Sequence, residues 1–447
     1  MGQDRSRGSG RRRATVWTCA VFAALFATIL APASAGASVR AADEGVTAKD
    51  VTLGFVYPAT GVAASISKNG LEGFQARIDS QNAQGGVNGR KLKVVSRDDA
   101  SSGQNLTATQ DLVENQHVFA VVNESPLAFV SYRWLLDHKV PMIGNGLDGT
   151  YYQDKGNESL LSSSGNSNPF GDLTYDGPAR VMKMLGAKKA GALAYGSASS
   201  SVASAKAFLN YAVPSAGLEN TYLNTTVDFG TQDVGPLVLG LKNAGADAVY
   251  LPMAESTNVA VAQGLQQNGV NMKAVIIASG YGQDFLDSRA AKSLPDNTIF
   301  TPGLKPAELK GDPAVKKFQA DVKKYVNFTG VPDFGIYTGY ILADYAIKAL
   351  QGAGKTPTRQ GLIDAGHGMG TYDEAGLSCA PVDVSLAGRG KSPSTNCGYY
   401  VQLKGGKYVL FPKNGKPVQG KLVGTPAALA TAKSGVAATT TTAAPAP

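Results

Sequence analysis

The sequence predicts an α/β protein built as two doubly wound lobes. Three observations point there. Short apolar runs alternate with amphipathic stretches from Val51 onward, the alternation occurs twice, and a Ser/Asn/Gly-rich stretch over 159–172 separates the two series. Such strand–helix alternation implies parallel sheets covered by helices on both faces. At 447 residues the chain exceeds one ordinary core, and 43% apolar with 17% charged residues suits a globular protein.

In the first series, "VTLGFVY" (51–57) predicts a buried strand, and Leu71, Phe74 and Ile78 give the following helix one apolar face. The stretch "NAQGGVNGRKLKVVSRDD" (82–99) then stops that helix. Gly85 and Gly86 supply the left-handed backbone of a helix stop, Asn88-Gly89 make a tight turn, and "KLKVV" is the second strand. Asp98 and Asp99 end that strand. Carboxylates in this position more often cap a helix or hold loop N–H groups than bind a metal, and no third ligand is in view. A helix around "TATQDLVEN", a strand at "VFAVV", a helix around "FVSYRWLLDH" and a strand at "VPMIG" complete the series.

The second series runs through the strand "AGALAY" (190–195), the helix "SSVASAKAFLNYA" and the strand "TYLNTTV". The helix "PLVLGLKNAG", the strand "ADAVYLP", the helix "NVAVAQGLQQNG" and the strand "KAVIIAS" follow. After Ile299 comes a charged surface helix, "DPAVKKFQADVKKY". In the next helix Ile336, Tyr340, Ala343, Ile347 and Leu350 share a broad apolar face. The strands "YYVQL" and "KYVLF", joined by "KGG", predict a hairpin.

The termini are of another kind. Arg11, Arg12 and Arg13 precede an apolar run from Ala14 to Ala31 and the small-x-small site Ala33-Ser34-Ala35, so residues 1–35 predict a secretory signal peptide rather than a membrane anchor. Cys19 precedes most of the apolar run and is badly placed for a lipoprotein box. Cleavage removes Arg5, Arg7, Arg11, Arg12, Arg13 and Asp4 and lowers the formal charge from +8 to about +4. With no basic patch interleaved with aromatics left, a nucleic-acid partner is not expected. The exported chain keeps Cys379 and Cys397, which flank a Gly/Ser/Pro-rich loop and predict one disulfide, contributing about 3 kcal/mol by the chain-entropy model. From Gly424 the sequence becomes Thr/Ala/Pro-rich without apolar periodicity, and a disordered tail over 424–447 is expected.

Catalysis finds no footing. His117, His138 and His367 are scattered, and no H-E-x-x-H, C-x-x-C or G-x-S-x-G motif occurs, so no catalytic residue, metal or cofactor is predicted. "ALQGAGKT" (349–356) nearly spells a phosphate-binding loop, but it follows a helix and runs into Pro357; it is better explained as a helix end and turn. Ligands of open α/β sheets bind at the carboxyl ends of strands. The candidate binding residues therefore lie in the strand-end loops: Ser65, Glu124, Ser125, Asn145, Gly146, Tyr195, Ser200, Glu255 and Tyr281.

The opening strand into "PATG", the helix end "NAQGGVNGRKL", the strand end "RDDASS", "VPMIG" and "NAGADAVYL" together resemble the type I periplasmic binding proteins. The similarity is to the branched-chain amino-acid and amide-binding group of ABC transporters, over about residues 48–412. It implies two Rossmann-like lobes joined by three crossovers and closing on a small solute. The lobes would be 48–165 with 302–378, and 166–301 with 379–423. It further implies an exported monomer that serves an ABC permease, with a sensor of the same fold as the alternative. The family's ligand anchors are altered here. The Ser/Thr-rich carboxylate loop is reduced to Ser125 in "SPLA", and Asp148 stands where a Thr is usual. The second-lobe acid aligns near Gly280 and Tyr281, and a second-lobe Tyr falls at about Ser200, leaving Glu255 or Glu124 as replacement acids. The expectation is a small solute other than a standard amino acid: an amide, an organic acid or a more apolar molecule.

Overall fold

The computed structural model describes residues 43–435 except 62, 102, 147–149, 165–170 and 390–394. The signal segment expected over 1–35, the last residues of the tail and Asp148 lie outside the described residues. Strands β1 (Asp50–Tyr57), β2 (Lys91–Asp98), β3 (Ala120–Asn123), β4 (Met142–Gly144) and β5 (Leu160–Ser162) form an all-parallel sheet in the order β2-β1-β3-β4-β5. Between them run α1 (Ala64–Ser67), α2 (Gly70–Ala83), α3 (Gln104–Gln110) and α4 (Tyr132–Asp137). Central β1 is apolar on both faces, with Leu53, Phe55 and Val56 fully buried, as a strand between two helix layers requires.

The chain then passes through β6 (Leu173–Tyr175) and α5 (Gly177–Met184) to a second sheet. There β7 (Lys189–Tyr195), α6 (Ser199–Ala207), α7 (Val213–Ser215), β8 (Glu219–Val227), α8 (Gly235–Asn243), β9 (Ala248–Leu251) and α9 (Glu255–Gln267) alternate. β10 (Ala274–Ile277), α10 (Gln283–Asp287), α11 (Arg289–Ser293) and β11 (Thr298–Phe300) complete the unit. After β11 the chain returns: α12 (Pro313–Val326) and α13 (Phe334–Gly352) pack on α2, and α14 (Arg359–Gly368) packs on α13. β12 (Thr371–Tyr372) pairs with β13 (Val382–Asp383) before the last crossing. β14 (Cys397–Gly398) precedes the hairpin of β15 (Tyr400–Lys404) and β16 (Lys407–Phe411), which adds antiparallel to β11. The second sheet therefore reads β16-β15-β11-β10-β9-β7-β8. β17 (Val418–Gln419) pairs with β14, and β18 (Leu422–Gly424) with β6. These are two α/β lobes, crossed three times by the chain.

The stretch 82–99 performs the turns its sequence predicts. Gly85, Gly86, Asn88 and Gly89 take φ of +104°, +80°, +50° and +84°. Asn88 Nδ2 also donates to the carbonyls of Leu350 (3.1 Å) and Gly354 (2.9 Å), fastening the turn to the end of α13. That is the near-match to a phosphate loop, here a helix end. Asp98 accepts from the N–H groups of Ala59 (2.9 Å), Thr60 (3.2 Å) and Ala100 (2.8 Å), so it holds the loop after β1. Asp99 takes Asn105 Nδ2 at 2.9 Å. Both carboxylates are architectural.

Two features differ from expectation. The start of the tail is not irregular: Pro426–Gly435 forms a helix, α15. Its Ala-rich sequence has high intrinsic helicity without needing apolar periodicity. Pro426 sits at the first helical position, and Thr425 Oγ1 accepts from Ala428 N at 3.2 Å. The third crossing also falls later than residue 379. Val384 N donates to Gly370 O (2.8 Å) and Gly388 N to Tyr152 O (2.6 Å), both first-lobe residues.

Cys379 and Cys397 are disulfide-bonded with Cα atoms 6.0 Å apart. Reduction is expected to lower unfolding stability by at most about 3 kcal/mol. Denaturant melts with and without reductant check this, and the Cys379→Ser/Cys397→Ser pair should show no reductant dependence.

Candidate functional site

A cleft of about 190 Å³ opens between the two lobes. Ile66 and Lys68 at the α1–α2 junction and Asp333 and Phe334 at the start of α13 line it from the first lobe. From the second lobe come Glu255, the first residue of α9, and the loop 279–285 that leads from β10 into α10. Each second-lobe element follows a strand's carboxyl end, where doubly wound sheets open to ligands.

The loop 279–285 is held from behind. Tyr408 Oη accepts from Gly282 N at 3.2 Å and lies 3.1 Å from Gly280 O. The ring of Tyr281 packs 4.8 Å from that of Tyr408. The Tyr281 hydroxyl donates to Glu308 (2.7 Å) and accepts from Ala307 N (2.8 Å), which ties the loop to the second crossover. Gly280 has φ +91°, and a Cβ there would lie 2.6 Å from Glu255 Cγ, so glycine is what lets the carboxylate stand against the loop. Across the cleft, Lys68 Nζ pairs with Asp284 at 2.5 Å. Gln283 N donates to Val331 O (2.8 Å) and its side-chain oxygen accepts from Val331 N (3.1 Å). Among the described residues this ion pair and this reciprocal hydrogen-bonded pair join the lobes at the cleft rim, beside the bonds of Tyr281 to Glu308 and Ala307.

The electrostatics are acid-rich. Burial, then the charges of Asp284 and Asp333, push the Glu255 carboxyl up to about 7, against the opposing pull of Lys68. Burial likewise raises Asp333, although its Oδ1 caps α13 by accepting from Ile336 N (2.9 Å) and its Oδ2 accepts from Asn69 (2.5 Å). Behind the first-lobe wall lies Glu124, 2% exposed, with neither oxygen in a well-aligned hydrogen bond. Its oxygens sit against Gly70, where a Cβ would approach within 2.2 Å. Burial, then Asp333 and Glu72, raise the Glu124 carboxyl well above the ordinary range, despite a pull the other way from Ser67.

Of the residues predicted from sequence, Glu255 and Tyr281 line the cleft and Glu124 stands one layer behind it. Ser65 lies on α1, with its side chain outside the described residues. Ser125 does not face the cleft: its hydroxyl donates to Asp99 and accepts from Leu127 N at 3.1 Å. Asn145 and Gly146 follow β4, where a Cβ on Gly146 would meet Ser162 Oγ at 2.7 Å. The Tyr195 hydroxyl donates to Thr257 Oγ1 (2.8 Å), which fixes the base of α9. Ser200 is exposed on α6. Lys68, Asp284, Asp333 and Phe334 were not singled out by sequence. Asp333 carried a signal, a Pro-Asp immediately before an apolar helix, but that pattern announces an N-cap, which Asp333 also is.

Comparisons with known proteins agree with this architecture. A protein-family profile described as periplasmic binding protein matches residues 50–407. The Leu/Ile/Val-binding protein homolog 7 of Brucella abortus is 25% identical over 308 residues, covering 63% of this chain and 73% of the relative. Among solved structures, the branched-chain amino acid transporter substrate-binding protein LivJ of Streptococcus pneumoniae, in complex with isoleucine, superposes with a TM-score of 0.66. It is 17% identical and covers 83% of this chain and all (100%) of that one. A fatty acid ABC transporter substrate-binding protein from Thermomonospora curvata superposes with a TM-score of 0.64 at 21% identity, covering 85% and 95%.

Proposed function

The chain belongs to the periplasmic binding protein family, and from that premise we propose that it is the extracytoplasmic receptor of an ABC importer. It takes a small solute between its lobes and presents the closed form to a permease. The cleft carries this reading: α1, α13, α9 and the 279–285 loop bring polar and aromatic groups of both lobes onto one volume of about 190 Å³. The lobes of this reading are 48–165 with 302–378, and 166–301 with 379–423, except that 381–389 rests on the first lobe. Closure is a hinge motion about the crossovers, because ligand contacts made by both lobes exist only when they meet. No described helix is long and apolar enough to cross a membrane.

A thermal-shift screen of the chain lacking residues 1–35 against small solutes tests the proposal. A solute at a hundred times its Kd is expected to stabilise the protein by about 2.7 kcal/mol. Turnover of a binding solute, or no binding to any solute class, would overturn it.

A further inference from the structure

We propose that the solute of this cleft presents an amine, as an ammonium ion, to Glu255 and carries no carboxylate. The inference rests on the receptor reading of the same cleft. Its first ground is a count of charges. Glu255, Asp284 and Asp333 line the cleft, and its one lysine or arginine, Lys68, is already paired with Asp284. The N-termini of α9 and α13 face the cleft and that of α2 lies behind its wall, each contributing about half a positive charge. Each of these ends already meets an acidic side chain: Glu255 on α9, Asp333 on α13 and Glu124 beside Gly70 on α2. A ligand carboxylate would enter a site with no free cation to receive it.

The second ground is the burial of Glu124 behind the cleft wall. Glu124 is 98% buried with neither oxygen in a well-aligned hydrogen bond, and the Ser67 hydroxyl beside it supplies only a partial pull on the carboxyl. A buried carboxyl without a hydrogen bond is costly unless something supplies positive charge. Glu124 shares the field of Asp333, which lines the cleft, so a cation bound there relieves it. A metal ion is not the match, since no three acidic, His or Cys side chains among the described residues are grouped to hold one. Ile66, Phe285 and Phe334 instead offer an apolar and aromatic wall, suited to the carbon body of an amine and to cation–π contact.

Three compounds that share one sec-butyl group separate the possibilities: 2-methylbutylamine, 3-methylpentanoate and isoleucine. Benzylamine and benzoate extend the comparison to an aromatic body. Calorimetric titration of the chain lacking residues 1–35 should show the amines binding at least tenfold tighter than their carboxylate partners and than isoleucine. Amine affinity should rise from pH 6 to pH 8 as Glu255 ionises. Glu255→Gln should weaken amine binding at least tenfold and remove its pH dependence, with the ligand-free melting temperature confirming that the variant folds. Tighter binding of isoleucine or a carboxylate would overturn the amine assignment and leave the receptor reading standing. If the amines do not bind while other solutes do, the assignment fails alone; if no solute binds, both fail.

Discussion

Replacing Gly339 by valine is expected to lower the stability of the protein by about 3 kcal/mol, the upper end of the cost of overpacking a core. α2 and α13 approach each other through glycines. A Cβ on Gly339 would lie 2.0 Å from Gly70 O, and one on Gly73 would lie 1.9 Å from Ile336 O. Both obstacles are backbone atoms, which cannot rotate aside as a side chain would. A branched side chain at 339 therefore has to push two whole helices apart. That displacement would also strain the contacts either side of it, including the buried pair of Arg77 Nε with Asp344 Oδ1 at 2.9 Å and the Tyr372 hydroxyl on Asp344 at 3.1 Å. It would further move Asp333 and Phe334, the first-lobe wall of the cleft, so residual folded protein should bind solute poorly. Gly368→Ala is the control, since a Cβ there meets nothing within 4 Å. Alanine in that helical position is expected to be neutral or to add up to about 1 kcal/mol. Urea melts of the three proteins check the contrast, and a loss below 1 kcal/mol for Gly339→Val would mean that the helices are not held at this spacing.

The fold was legible in the sequence because its signals are local. Strand length, helix periodicity and the Gly85-Gly86 and Asn88-Gly89 turns are set by residues near one another in the chain, and each appears where its pattern places it. The disulfide was legible because only two cysteines follow the signal segment. The cleft was less so. Lys68 faces Asp284 across more than two hundred residues of chain, and no local pattern announces such a pair. Ser125 shows the opposite difficulty: a hydroxyl at a strand end resembles a ligand anchor, yet a nearer acid, Asp99, claims it. The α15 helix was hidden by composition, because alanine forms helices without the apolar stripe that periodicity detects.

The ligand-free protein is expected to be most stable near pH 5 and to lose stability steadily toward pH 8. Two sets of carboxyls with opposite shifts produce this. Asp98, Asp176 and Asp312 hold pKa values below the ordinary range; burial opposes this in each, and hydrogen bonds from Thr60, Arg180 and Lys305 lead the groups that outweigh it. Their stabilisation is present above the unfolded value of about 3.9 and disappears as pH falls through their folded values, which accounts for the acid limb. Glu124, Glu255 and Glu374 are raised, chiefly by burial, the last two to about 7. Above an unfolded value of about 4.3, the native state then binds more protons than the unfolded one, so stability falls as pH rises toward 7 and beyond. Glu124→Gln removes the least compensated of these charges while keeping the shape of the side chain. It is expected to raise stability at pH 8 by about 3 kcal/mol, the scale of burying an unpaired ion, and to change little at pH 4.5, where the wild-type group is protonated. The decline between pH 5 and pH 8 should become correspondingly shallower. Unfolding free energies measured across that range for both proteins decide the matter: equal slopes would show that Glu124 finds a partner in solution, and with it that the field behind the cleft is not the one that selects a cation.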